Sequence, residues 1–493
     1  MKKKLKRKWI LFALMMTMVL AAMDNTIVAT AIPQIVGDLG GFSLFSWLFT
    51  IYLLIQTITI PLYGKLADLF GRKPVIIFGI IVFLIGSSAC GFAWNMPSLI
   101  AFRGIQAIGA GAIMATVNTI AGDIYTIEER AKIQGWLSSV WGISAILGPA
   151  LGGALADYAT WRWIFFINIP FGILSIYLIV KFLHEGKSLA RPKIDWAGAV
   201  SMLITATVIM FALLQSGQSW PWISYTSLAF LTVSILLVYI TMRIERRAEE
   251  PILPIWVWKK RELMGSNLAT MGMGVIMIGP GMYLPVFAQS VTGVSAIAAG
   301  FILASMSITW PVSSSLSGKL YLRIGFRNTA LCGILIVAIG TFSFNFIQFP
   351  GPAWTLVTIQ MLMGAGFGLI STPLLVGVQS TVDYGQRGVV TGTNIFSRYF
   401  GQSIGAAIFA VIFNYGINTK MEAAPEALQS NLPSVNNMVD VMQSNETSSE
   451  LKLFLREAFF EATHSVYAGL TIVAFITVLI LLWTPAKFPI LKK

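Results

Sequence analysis

The stretch Gly64-Lys65-Leu66-Ala67-Asp68-Leu69-Phe70-Gly71-Arg72-Lys73 lies between two long apolar runs. It returns as Gly318-Lys319-Leu320-Tyr321-Leu322-Arg323-Ile324-Gly325-Phe326-Arg327. A second echo, Gly109-Ala110-Gly111 against Gly366-Phe367-Gly368, falls at nearly the same offset of about 255 residues. Counted from the N-terminus, the first pair follows the second and tenth apolar runs, and the second pair lies in the fourth and twelfth. A repeat that keeps its place in the order of runs implies a duplicated body. Two halves of six spans each (1–6 and 9–14) would share a parallel topology, with spans 7 and 8 inserted between them. Such repeats are a mark of secondary transporters, whose substrate site lies between the halves.

Composition points to lipid as the solvent. Of 493 residues, 56% are hydrophobic and 11% charged, with a mean hydropathy of +0.76. A soluble domain carries roughly 25% charged residues. Backbone in hydrocarbon must satisfy its own hydrogen bonds, which only helices or a closed barrel achieve. Runs such as Ile10 to Leu20 and Leu470 to Trp483 lack the alternation of a barrel strand. The expected fold is therefore an all-α polytopic membrane protein. Windows of the required length, about 20 residues, occur at 9–32, 45–64, 74–94, 98–120, 133–156, 161–182, 196–216, 222–243, 264–287, 296–317, 328–348, 353–376, 389–414 and 464–484. That makes about 14 transmembrane helices.

Charge placement supports the count. The net charge of +13 could suggest nucleic acid, but the basic residues cluster in alternate short connections. These hold Lys65, Arg72 and Lys73; Arg130 and Lys132; Lys181 to Lys193; Arg243 to Arg261; Lys319 to Arg327; Arg387; and the tail from Lys487. The short intervening connections carry little basic charge beyond Arg162. By the positive-inside rule both termini are cytoplasmic and the span count is even. No nucleic-acid partner is expected, and the bilayer is. The expected organisation is a basic N-terminus (1–8), an N-terminal bundle (9–184) and a linker with two inserted helices (185–250). A C-terminal bundle (251–485) with an outer loop at about 415–462 and a basic tail (486–493) follow. Met1 to Lys8 leads into a first span that reads as retained rather than as a cleaved signal. Within the outer loop, Glu450 to Ala462 is expected as an amphipathic helix on the membrane surface, either a solvated connector or a cap over the outer vestibule.

At this point the residues resemble a family. Gly64 to Lys73 matches the loop between spans 2 and 3 of the major facilitator superfamily nearly position for position. Gly64 and Gly71 let helix ends approach, while Asp68 can pair with Arg72, Lys73 or a helix N-terminus, giving a releasable latch. The second copy departs from the pattern with Leu322 in place of the aspartate. Arg103, in Arg103-Gly104-Ile105-Gln106, resembles the arginine motif of span 4. A guanidinium within a span should face a cavity or a partner. Its counterpart in the second half is Gln360, so the charge is one-sided, which suits a coupling role; a bond to backbone carbonyls is the structural alternative. Trp141-Gly142 through Gly148-Pro149 to Gly152-Gly153 resembles the span-5 motif of antiporters. There a proline bend and close packing could seal a proton path, or simply kink a packed helix.

Asp24-Asn25-Thr26, with Trp161 to Pro170 and Asp195 to Gly198, resembles the fourteen-span drug:proton antiporters often called EmrB/QacA-like. The resemblance spans nearly the whole chain. It implies a major-facilitator fold and export of hydrophobic or cationic drug-like compounds in exchange for protons, driven by the proton gradient without a cofactor. It further implies a multi-pass protein of the bacterial cytoplasmic membrane, with a monomer as the simplest assembly. Burial disfavours a charged Asp24 unless Arg103 or a bound cation offsets the desolvation. Asp24 is accordingly expected as a proton or cation-substrate site, or else as a capping carboxylate near the outer mouth. Arg398, ahead of Gly401 and Gly405, is expected either to pack between helices or to face a cavity. Met271, Met273, Met277 and neighbouring aromatics in span 9 suit an adaptable apolar cavity or a lipid-facing surface alike.

Other classes find less support. No Gly-x4-Gly-Lys-Ser/Thr phosphate loop occurs, and the two histidines, His184 and His464, and two cysteines, Cys90 and Cys332, form no catalytic or metal pattern. An enzyme is not expected. A lipid or lipid-linked-metabolite flippase and a symporter of small polar solutes stand as alternatives within transport.

Overall fold

The computed structural model describes residues 2–41, 44–45, 47–185, 195–216, 220–252, 254–349, 351–429, 432–433, 438, 441 and 448–490. Fourteen long helical passages follow one another: α1 (Lys2–Thr30), α2 (Trp47–Phe70), α3 (Arg72–Gly91), α4 (Met96–Ile124), α5 (Ile127–Tyr158), α6 (Asn168–Phe182, preceded by the turn Trp163–Phe166) and α7 (Trp196–Gln215). Then come α8 (Tyr225–Glu245), α9 (Arg261–Ser290), α10 (Ala296–Ile324), α11 (Phe326–Ser343), α12 (Ala353–Ser380), α13 (Arg387–Glu422) and α14 (Ser449–Trp483). Among the described residues no β-strand forms beyond an isolated bridge, Ser216–Trp220.

Thirteen of these are long and apolar enough to cross a bilayer. The exception is α5, which has 32 residues, enough for a span. The fourteen-passage expectation therefore holds.

Two cores form, one from residues of α1 to α6 joined by Ile395 and Tyr399 of α13, and one from α9 to α14. The same joints recur in each. The turn between α2 and α3 pivots on Gly71 (φ 95°) and the turn between α10 and α11 on Gly325 (φ 86°), a backbone state that side-chain-bearing residues rarely adopt. In the N-terminal half Gly79 and Gly109 seat α3 on α4; a Cβ at Gly109 would stand 2.5 Å from the Gly79 carbonyl oxygen. In the C-terminal half Gly333 and Gly366 do the same for α11 and α12, with 2.6 Å for the corresponding clash. The partner glycines Gly111 and Gly368 face Thr59 and Ser313 on the opposite flanks. Each Gly-x-Gly thus serves two neighbours, which is why the pattern survives duplication.

The inserted helices sit outside this frame. α7 packs Ala206 and Met210 against Leu54 and Ile58 of α2, whereas the apolar window of α8 is 0% buried. It meets α7 on one side, where Thr205 and Thr241 share a hydrogen bond of 2.7 Å, and the rest of a helix apolar all round is solvated by lipid.

Two boundaries differ from the sequence reading. α13 continues to Glu422, and Glu450 to Ala462 is not a separate surface helix but the start of α14. Leu451, Leu455, Ala458, Phe459 and Ala462 are buried at helical spacing in the C-terminal core. Apolar contact with the bundle outweighs the polar face that suggested an interfacial position, and Glu461 pairs with Lys420 of α13 at 2.6 Å.

Candidate functional site

Three arrangements carry the chemistry. The first is a ring of charges where the halves meet on the basic face, the side the charge rule assigns to the cytoplasm. Asp68, ending α2, accepts hydrogen bonds from the backbone amides of Gly388 (2.9 Å) and Val389 (2.8 Å). Those amides open α13, so the carboxylate meets a helix N-terminus. Arg72 pairs with Asp68 at 2.8 Å and with Asp123 at 2.9 Å, donates to the Tyr384 carbonyl and lies 3.9 Å from that ring's centroid. Asp123 also holds Arg387 at 2.9 Å. Gly64 and Gly388 touch backbone to backbone, so a side chain on either would meet the other's carbonyl. Gln379 adds a donation of 3.1 Å to the Asn118 carbonyl. The bonds between Asp68 and the α13 amides, Arg72 and Tyr384, Asp123 and Arg387, and Gln379 and Asn118 join one half to the other, while Arg72 ties Asp68 to Asp123 within the N-terminal half; the structure is shut on this face. Lys73 stands apart: its ammonium donates to the Val180 carbonyl within the N-terminal half, while Glu185 accepts from the Arg72 and Lys73 amides.

The second is a central cavity of about 300 Å³. α1 contributes Met18, Ala22 and Thr26, α5 contributes Leu137, Trp141 and Gly142, and α9 contributes Met273 and Met277. Trp310, Asn394, Arg398, Tyr399 and Gln402 close the opposite side. Gly142 abuts Ser307 of α10 at the floor between the halves. Further along α5, Gly148 and Gly152 seat the helix on Thr26, Ile27 and Thr30 of α1, and Thr26 donates to the Ser144 carbonyl at 3.1 Å. The span-5 motif is a seam between α5 and α1. The side chains of Asn25, Pro149 and Gly153 lie outside the described residues.

The third arrangement lies behind α1. Asp24, Arg103 and Gln106 form a closed ring within the N-terminal half, away from water. Arg103 pairs with Asp24, Gln106 donates to the other carboxylate oxygen at 2.8 Å, and Arg103 donates to the Gln106 side-chain oxygen Oε1 at 2.9 Å. The guanidinium carbon lies 4.2 Å from the centroid of Tyr52. Asp24 is 1% exposed and Arg103 0%. Neither residue lines the cavity; Met18, Ala22 and Thr26 on the other face of the same helix do. Gln360, equivalent to Arg103, is also fully buried, and neither of its side-chain polar atoms has a partner.

The sequence therefore pointed to Asp24, Arg103 and Gln106, which the structure unites, and to Arg398, which it places in the cavity wall. It missed Tyr52, Arg387, Tyr384 and Glu185. Only Arg387 had left a trace, as a lone cation ahead of span 13.

A duplicated bundle of this kind, with a cavity between halves and a charged gate at one end, defines an α-helical secondary transporter. The family model described as Major Facilitator Superfamily matches residues 14–406, and the chain belongs to that superfamily. It is 35% identical to "Multidrug resistance protein 3" of Bacillus subtilis (strain 168), over 86% of this chain and 82% of that one. It is 31% identical to "Multidrug transporter protein MdtP" of the same organism, over 98% and 94%. Among solved structures, the crystal structure of the human organic anion transporter MFSD10 (TETRAN) superposes with a TM-score of 0.65 at 13% identity, covering 96% and 99% of the two chains. That last likeness is one of fold alone. The protein is a multi-pass membrane transporter and not an enzyme.

Proposed function

We propose that the protein exports hydrophobic, drug-like small molecules across the bacterial cytoplasmic membrane by alternating access, in exchange for entering protons. The observation that carries the reading is the placement of the Asp24–Arg103–Gln106 ring directly behind the cavity-lining face of α1. Protonating Asp24 would leave Arg103 with an uncompensated charge in a dry site, which is costly. The ring must then open, and α1 or α4 must shift. Because Met18, Ala22 and Thr26 ride on α1, that shift changes the cavity, and Gly148 and Gly152 transmit it to α5. Transport needs only such a difference in affinity between two states. The charged gate on the basic face is the other half of the cycle: it holds the inner side shut and must break for substrate to enter from the cytoplasm. The two multidrug relatives support the direction of transport and the breadth of substrate.

Everted vesicles carrying the full chain supply the test. An imposed proton gradient is expected to drive accumulation of a hydrophobic dye, and Asp24→Asn is expected to abolish that drive. Full gradient-coupled flux in Asp24→Asn would overturn the coupling role. Raised drug tolerance in a pump-deleted host expressing the wild type is the cellular counterpart.

A further inference from the structure

The expected substrate range included cations, yet the cavity is built the other way round. Among its described lining residues there is no aspartate or glutamate, and Arg398 is the only charged side chain. Arg398 lies on α13 at a point where the backbone is fixed. Gly274 of α9 comes against the Arg398 carbonyl, and Gly401, one turn on, comes against that of Met271. The side chain leaves that fixed backbone to line the cavity.

No carboxylate, carbonyl or hydroxyl among the described residues accepts from it, and its Nε is buried with no partner. Its one favourable neighbour is the Tyr399 ring, 5.2 Å from the guanidinium carbon. The contrast with Arg103 and Arg72 is plain, since Arg103 is paired with Asp24 and Arg72 with both Asp68 and Asp123. An arginine with no acid at mid-depth is an electrostatic cost unless something brought in from outside compensates it.

A second observation points the same way. Three buried polar atoms carried by the lining residues have no hydrogen-bond partner: Gln56 Nε2, Trp310 Nε1 and Arg398 Nε. All three are N–H donors. A site whose unmet groups are donors calls for a ligand rich in acceptors. The surrounding methionines and tryptophans give that ligand an adaptable apolar bed.

We infer that the central cavity binds amphiphiles carrying a carboxylate or sulfonate, with Arg398 as the anion anchor and the methionine and tryptophan walls holding the apolar body. This rests on the export function proposed above and names its substrate class. A planar guanidinium presents paired N–H groups that match such anions bidentately. A lipophilic cation, by contrast, meets a like charge and finds no counterion in the wall. Neutral hydrophobes bind through the apolar bed alone.

The test uses the full-length protein in nanodiscs and three probes: 8-anilinonaphthalene-1-sulfonate, its uncharged relative N-phenyl-1-naphthylamine, and tetraphenylphosphonium. Binding is measured against empty nanodiscs. The wild type is expected to take the sulfonate most tightly and the phosphonium least. In Arg398→Gln the sulfonate-to-amine affinity ratio is expected to fall about tenfold or more, the value of a charge-assisted hydrogen bond. Arg398→Lys, which keeps the charge, is expected to retain part of that ratio. Taking a ratio within one protein sample removes any loss of folded material. Tighter binding of the phosphonium than of the sulfonate, or an unchanged ratio in Arg398→Gln, overturns the assignment. Gradient-driven transport of the same probes in proteoliposomes is read separately. If no probe moves while the binding ratio still depends on Arg398, the export reading falls and the anion site stands.

Discussion

Arg103 on α4 and Gln360 on α12 hold equivalent places in the duplicated halves, and both are fully buried. Around Arg103 a carboxylate and an amide close a ring; around Gln360 both polar atoms are left without partners. The joints that surround them are matched nearly glycine for glycine, Gly79 with Gly109 and Gly333 with Gly366. Duplication preserved what packing requires, because a side chain at those crossings meets backbone in either half. It did not preserve charge. The N-terminal half keeps its ion pair sealed from the cavity, while the C-terminal half presents a cation to the cavity wall; on the proposed function, the two bundles would divide proton chemistry from substrate chemistry.

The largest break in that comparison is Arg103→Gln. It leaves Asp24 buried beside a neutral amide, and removing one partner of a buried pair costs about 3–5 kcal/mol. A large fall in thermal stability is expected, together with loss of gradient-driven transport. Asp24→Asn combined with Arg103→Gln removes both charges, so it should recover most of the stability and none of the transport. Thermal melts beside vesicle flux separate these outcomes. Should the double variant transport normally, the ring is architecture and the division of labour fails.

Next in size is the gate. Asp68→Asn surrenders a charged acceptor for two α13 amides and a partner for Arg72, each such bond contributing about 1.5–3 kcal/mol. The inner face should open more often, and Ser138→Cys, a cavity position, should label faster with a thiol reagent applied from the cytoplasmic side. Leu322, the equivalent position in the other half, has no such duty, so Leu322→Asn should leave that labelling rate unchanged. Equal effects at Asp68 and Leu322 would mean that the gate is shared by both halves.

A middle-sized effect tests the shared skeleton. Gly109→Val and Gly366→Val each force bulk into a helix crossing that has none to spare, and overpacking costs about 1–3 kcal/mol. The two melting points should fall by similar amounts, in contrast to the unequal consequences at Arg103 and Gln360.

How far the sequence alone revealed this depends on whether local pattern or distant pairing set the feature. Span number, inserted pair and repeat were readable because hydropathy, loop charge and glycine spacing are local. The start of α14 at Ser449 was not readable, since Glu450, Glu457 and Glu461 look interfacial until Leu451, Leu455 and Phe459 are seen against the core. Asp24 and Arg103 were singled out as costly charges, but the sequence had no means of saying that they face one another behind α1 instead of the cavity. Arg387 and Tyr384 entered the gate only through the meeting of the two halves, across 264 residues of chain to Asp123 and 312 to Arg72. Arg398 was left between packing and cavity because its glycine neighbours supported the first and its charge the second. The structure shows that the glycines fix the backbone while the side chain lines the cavity.

The smallest effect is also the most discriminating for the asymmetry of the halves. Gln360 is buried with both polar ends unmet, and a buried polar group without a partner costs about 1–3 kcal/mol, part of which an apolar replacement of similar size returns. Gln360→Leu should therefore leave stability unchanged or raise it by about 1 kcal/mol, and it should leave gradient-driven dye accumulation intact. The same change at the equivalent site, Arg103→Leu, strips Asp24 of its cation and should do the opposite on both counts. A transport defect in Gln360→Leu without loss of melting temperature would show that its free amide meets a ligand or a proton path in another state of the cycle. The C-terminal half would then share in coupling rather than in substrate binding alone.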